Sequence, residues 1–102
     1  MRWKLNIEYK NKAIEKVCTM ASKAEKEYGK RMAELIQLRI DQITAAESVE
    51  ELVQYKIGRC HALHNNRDGQ YAMDLVHPQR LVFRKRGETI QIALIEEIID
   101  YH

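Results

Sequence analysis

Residues Gly58 to Phe83 read GRCHALHNNRDGQYAMDLVHPQRLVF, and this stretch decides the fold. Short apolar runs alternate with polar, glycine-containing turns, which is the pattern of strands joined by tight connections. It holds His61, His64 and His77, three of the four histidines in the chain. Charge gathers here as well. From Lys56 to Arg86, seven bases (Lys56, Arg59, Arg67, Arg80, Arg84, Lys85, Arg86) stand against two acids, Asp68 and Asp74. That excess of five is larger than the formal net charge of +2 on all 102 residues, so the remainder of the chain is acidic on balance. A basic, histidine-bearing sheet is suited to meeting a phosphate backbone.

Upstream of this stretch the periodicity is different. Trp3, Leu5, Ile7 and Tyr9 alternate with polar residues and predict a half-buried strand. From Lys12 the apolar positions Ile14, Val17, Met20, Ala21, Ala24 and Tyr28 recur at three and four, predicting one amphipathic helix that stops near Gly29. A second stripe, Met32, Leu35, Ile36, Arg39, Ile40 and Ile43, predicts another helix, and the short connector at Gly29 folds the two into an antiparallel hairpin. Ser48 with Glu51 is a capping-box pattern that starts a short third helix over Val49 to Gln54.

Downstream, Tyr71–Val76, Arg80–Arg84 and Ile90–Tyr101 read as strands, with turns at His77-Pro78 and Arg86-Gly87-Glu88. Arg84-Lys85-Arg86 reads as a basic turn or solvated edge. In the last strand both faces are partly apolar, which predicts a fully buried central strand; its five isoleucines argue against a helix. The order β-α-α-α-β-β-β-β gives one α+β domain over residues 1–102: a twisted, mostly antiparallel sheet with helices on one face.

Composition excludes several classes. A content of 45% hydrophobic and 31% charged residues fits an ordinary globular protein. No apolar run approaches membrane-spanning length, and Met1-Arg2-Trp3-Lys4 lacks the apolar core of a signal peptide. Cys18 and Cys60 have no metal-ligand spacing, so two reduced, buried thiols in a cytoplasmic protein are expected. No phosphate-cradling glycine loop, zinc spacing or nucleophile elbow is present, and no cofactor is expected.

Four motifs taken together, Gly58-Arg59-Cys60-His61-Ala62-Leu63, Arg67-Asp68-Gly69-Gln70-Tyr71, Arg80-Leu81-Val82-Phe83 and Glu97-Ile98-Ile99-Asp100-Tyr101-His102, resemble the RelE/ParE superfamily of bacterial toxins, most closely its HigB-like "killer protein" branch. The resemblance implies a RelE-like sheet packed against an N-terminal helical hairpin. It implies a ribosome-dependent endoribonuclease that cuts messenger RNA and needs no metal, neutralised by a cognate helix-turn-helix, HigA-like antitoxin. Matched by position, His61 falls on a catalytic histidine, Arg80 on a phosphate-binding arginine, and Asp100, Tyr101 and His102 on a C-terminal active-site group. His64, Arg67, Arg84 and Lys85 are the further RNA-binding candidates. His64 stands where many relatives carry a lysine. Asn65 replaces a usual glycine of the turn, and can adopt the left-handed conformation required there.

The chemistry asks for these residue types. Attack of a ribose 2′-hydroxyl on the adjacent phosphate needs a base, an acid and cations for the developing charge. Histidine titrates nearest working pH, so His61 is assigned the base. His102, beside its own α-carboxylate and Asp100, is assigned the acid. Arg80 can grip phosphate oxygens bidentately, and Tyr101 can stack on a displaced base or donate to a phosphate oxygen. Plainer roles compete: a structural strand histidine at His61, a frayed polar end at Asp100-Tyr101-His102, and a surface salt bridge between Arg80 and Asp74. Two other functions compete as well. One is a ParE-like toxin that inhibits DNA gyrase without chemistry; the other is an inert module that only occupies an antitoxin.

Overall fold

The computed structural model describes residues 5–100. Within them the chain runs β1 (Asn6–Tyr9), α1 (Lys12–Thr19), α2 (Ala21–Tyr28), α3 (Lys30–Ala45), α4 (Val49–Gln54), β2 (His61–Ala62), β3 (Gln70–Asp74), β4 (Gln79–Arg86) and β5 (Ile92–Asp100). Single 3-10 turns lie at Ile57–Arg59 and Asn65–Arg67. The strands form one sheet in the order β1-β5-β4-β3-β2. β1 is parallel to β5, and every other pairing is antiparallel. This is the expected α+β architecture. Trp3, the first residue of the predicted N-terminal strand, lies outside the described residues.

The helical hairpin forms as its stripes predict, with one correction. The single helix expected over Lys12–Tyr28 is broken at Met20, whose φ of −121° and ψ of 102° are extended. Thr19 Oγ1 donates back to the Glu15 carbonyl at 2.7 Å, a bond that competes with the helix ladder and bends it. The break lets α1 press Ile14, Val17 and Cys18 toward the sheet while α2 lays Ala24 along α3. Met20 is left half exposed. Gly29 joins α2 to α3 at φ +91°, a backbone conformation that side-chain-bearing residues rarely take. Asn11 and Ser48 cap α1 and α4 through their side chains, accepting from Ile14 N and Glu51 N.

Alternation in the sheet sorts side chains to two faces. Met73, Leu81, Phe83, Ala93 and Ile95 meet Ile36, Ile40 and Ile43 of α3 in the main core. Tyr71 stacks on Phe83, its cross-strand partner, with centroids 5.6 Å apart. The other face carries a small apolar patch, Leu63, Ala72 and Val82 with Ile99 against it, surrounded by charge.

The doubly apolar last strand has a different cause from the one expected. It is not buried on both faces; among its residues only Ala93 and Ile95 are fully buried. Val82 pairs with Glu97 but Phe83 pairs with Ile95, so Glu96 is an extra residue, a β-bulge. The bulge reverses the phase of alternation. Ala93 and Ile95 face the helices before it and Ile98 after it, and both parities therefore look apolar in sequence. The strand also begins at Ile92 and not Ile90, which is 54% exposed. Residues 84–86 form strand and not turn, because their backbone pairs with Ile92–Leu94.

Candidate active site

The segment between α4 and β2 shapes the site. Lys56, Gly58 and Arg59 take φ values of 52°, 58° and 56°, so three residues of four are left-handed. Two of them bear side chains, at a cost of about 1–2 kcal/mol each. Backbone bonds hold the segment: Lys56 N to Val53 O at 3.2 Å, Arg59 N to Lys56 O and Cys60 N to Ile57 O at 3.0 Å. The coiling drives the Cys60 side chain into the core and leaves Lys56, Arg59 and His61 at one mouth. A cavity of about 630 Å³ opens there, lined by Val53, Lys56, Arg59, Cys60, His61 and Arg80. Strain of this kind gathers at functional sites.

His61 is presented in a defined tautomer. Its Nδ1 lies 2.9 Å from the Arg59 carbonyl, and a carbonyl oxygen only accepts, so Nδ1 carries the proton. In the neutral ring the lone pair is then on Nε2, the nitrogen a general base uses. Cross-strand pairing of His61 with Ala72 and of Arg80 with Asp74 puts both on the face of the sheet turned away from the helices.

Arg80 sits opposite Asp74 in register, with Nε 3.3 Å from Asp74 Oδ1. Arg59 Nε reaches Oδ2 of the same carboxylate at 3.3 Å. The pair with Asp74 expected as the plain role of Arg80 therefore forms, but its two side chains are only 24% and 26% exposed and the carboxylate is shared with a second arginine. Asp74 Oδ1 is buried and makes no hydrogen bond among the described residues; its tie to Arg80 is charge against charge. Three permanent cations and one carboxylate leave the mouth positive and suited to an anion. Burial pushes the Cys60 thiol up to about 12, which makes it a wall of the cavity and no nucleophile.

The other expected residues divide. Asp100 ends β5 opposite Gln79, while Ile99 is the residue opposite Arg80. Alternation therefore turns Asp100 to the opposite face from Arg80, and it does not line the cavity. Tyr101 and His102 lie outside the described residues. His64 is exposed at the head of the loop turn, followed by Asn65 at φ +63°. Arg67 and Arg84 lie on the open face, already matched with acids: Arg67 with Glu97 at 3.2 Å, Arg84 with Glu96 at 3.4 Å.

Lys85 lies away from the cavity. Its neighbour Arg84 takes the open face, so Lys85 points to the helix side, where it binds Glu50 at 2.6 Å and Glu88 at 3.4 Å. It is 15% exposed and belongs to the packing of α4 on the sheet. Lys56, Arg59 and Asp74 are the residues missed as site members. Their charges are visible in sequence, but a left-handed turn made by non-glycine residues leaves no such mark. Among the described residues no three His, Cys, Asp or Glu side chains converge as a metal site requires, and no helix is long and apolar enough to cross a membrane.

No protein-family model matches the sequence, and no curated protein matches it. Among solved structures the chain is similar to a YoeB/ParE toxin from Agrobacterium tumefaciens, with a TM-score of 0.66. The superposition covers 96% of this chain and 100% of that one at 13% sequence identity. The fold is therefore RelE/ParE-like: a mostly antiparallel five-stranded sheet behind an N-terminal helical hairpin.

Proposed function

We propose that this chain is the toxin of a toxin–antitoxin pair and a metal-independent endoribonuclease that cuts messenger RNA during translation, in the manner of the HigB-like branch, with a HigA-like helix-turn-helix protein as its antitoxin. One observation carries the reading: His61, with its Nδ1 committed to a carbonyl, shares a single cavity with Arg80, Arg59 and Lys56. A fold shared with a YoeB/ParE toxin supports it.

In this reading the scissile phosphate enters the mouth with its non-bridging oxygens against the guanidiniums. His61 Nε2 takes the proton of the 2′-hydroxyl, and the freed oxygen attacks phosphorus. The bond from phosphorus to the 5′-oxygen breaks, and that oxygen takes a proton from an acid, the role assigned to His102. The products are a 2′,3′-cyclic phosphate and a 5′-hydroxyl. Arg80 and Arg59 hold the charge that builds on the phosphoryl oxygens.

The test is to induce the protein and His61→Ala and Arg80→Ala variants in bacteria and map messenger RNA ends. Cuts within translated codons, absent in both variants, support the reading. Growth arrest with intact transcripts and stalled replication replaces it with gyrase inhibition, and an effect unchanged in both variants removes chemistry altogether.

A further inference from the structure

We infer that Asp74 is a positioning residue of this site, holding Arg59 and Arg80 by their Nε edges so that the two guanidiniums meet one phosphate together; the inference rests on the ribonuclease reading. Asp74 is held at both ends. Its backbone carbonyl accepts from Arg39 Nε at 2.6 Å, which ties this point of β3 to α3. Its carboxylate has one arginine on each oxygen, both through Nε at 3.3 Å. Arg59 comes from the left-handed segment and Arg80 from β4, and no other described acid is paired with both.

The pairing is not one that stability alone selects. Desolvation offsets much of what a largely buried ion pair contributes, and here a buried carboxylate oxygen is kept without a hydrogen bond, an arrangement that ordinarily costs free energy. Arg59 has a side chain 81% exposed, at a φ of 56°, and without a fixed partner its guanidinium would sample many rotamers. A carboxylate drawing both Nε edges by charge confines where each guanidinium sits without requiring its terminal nitrogens.

Two roles for Asp74 make opposite forecasts. If it only offsets charge, removing its charge leaves a more positive mouth, tighter RNA binding and an undiminished rate. If it positions, Asp74→Asn keeps size and polarity but removes the charge that draws both arginines to one point, and the rate falls with RNA saturating. We expect single-turnover cleavage of bound RNA to drop about ten-fold or more, as small displacements of catalytic groups do. Asp74→Glu should recover part of the loss.

The deciding experiment joins this rate with NMR of the arginine Nε–H groups in wild type, Asp74→Asn and Asp74→Glu. A slowly exchanging, dispersed Arg80 signal in wild type that collapses in Asp74→Asn, together with the lowered rate and an unchanged thermal midpoint, is the expected result. An unchanged Arg80 signal, or cleavage by Asp74→Asn at or above the wild-type rate, overturns the inference. If the wild-type protein cuts no RNA, the ribonuclease reading fails by itself, and the NMR signals alone decide whether Asp74 orders the arginines.

Discussion

Arg39 donates through Nε to the Asp74 carbonyl at 2.6 Å, and Gly58 lies against the same guanidinium stem. A Cβ on Gly58 would stand 2.7 Å from Arg39 Nε and 2.9 Å from its Cδ. One close approach thus fixes where α3, β3 and the cavity-forming segment meet. Gly58→Ala should strain a residue at φ +58° and displace Arg39 from its acceptor. The expected loss is about 2–4 kcal/mol of unfolding free energy, from the left-handed penalty and a broken charged hydrogen bond. Urea titration checks it; a loss below about 0.5 kcal/mol, the range of ordinary surface changes, would show that Arg39 moves aside freely.

The two thiols should be silent in the native protein. Cys18 and Cys60 are 2% and 3% exposed, and burial pushes both up to about 12. At pH 8 the reactive thiolate is then on the order of 10⁻⁴ of each. A chromogenic disulfide reagent should release almost no colour until denaturant is added, and then two equivalents per chain. Rapid native reaction at Cys60 would mean that the cavity reaches deeper than its walls allow.

Glu50 and Lys85 give a pH dependence with a definite sign. The hydrogen bond from Lys85, and after it that from Gln91, holds Glu50 below the usual carboxylate range. The same bond raises Lys85 above its ordinary value. For Glu50 the unfolded chain binds the proton more tightly, so this stability is present above the ordinary carboxylate pKa and lost as pH falls through the folded value. For Lys85 it is present below the ordinary lysine pKa and lost as pH rises through the raised one. Glu50 is 58% exposed, which limits the pair to under about 1 kcal/mol. The stability gap between wild type and Lys85→Met should be flat from about pH 6 to 9 and narrow below about pH 4. A gap that widens on acidification contradicts the assignment.

Much of this fold is legible in the sequence, and the places where it is not have identifiable causes. Apolar spacing marks α3, the Ser48 and Glu51 capping box marks α4, and turn residues separate β3 from β4. Met20 misleads because an apolar residue fits the stripe, and apolar spacing does not register the Thr19 side-chain bond back to Glu15 that bends the helix there. Glu96 misleads because an inserted residue reverses alternation and imitates a strand buried on both sides. At the site, His61 and Arg80 are read from their neighbours and share a cavity. Lys56 and Arg59 are overlooked because only the folded backbone reveals their left-handed conformation. Asp100 is assigned to the site by its place in a motif, yet one step of strand alternation turns it to the other face.

If the proposed ribonuclease function holds, position relative to the sheet, and not charge alone, should decide which cations bind RNA. Lys56 and Arg59 line the cavity, whereas Lys85 is spent on Glu50 behind the sheet. Lys56→Ala and Arg59→Ala should each weaken binding of a single-stranded RNA. Each should also lower the slope of log affinity against log salt by about 0.7, the value for one lost phosphate contact. Lys85→Met removes the same formal charge but should leave that slope intact and show its effect in the unfolding midpoint. Fluorescence anisotropy across a salt series separates the two patterns. Equal losses of slope in all three variants would mean that RNA senses only net charge, and the cavity would no longer be the place where phosphate is held.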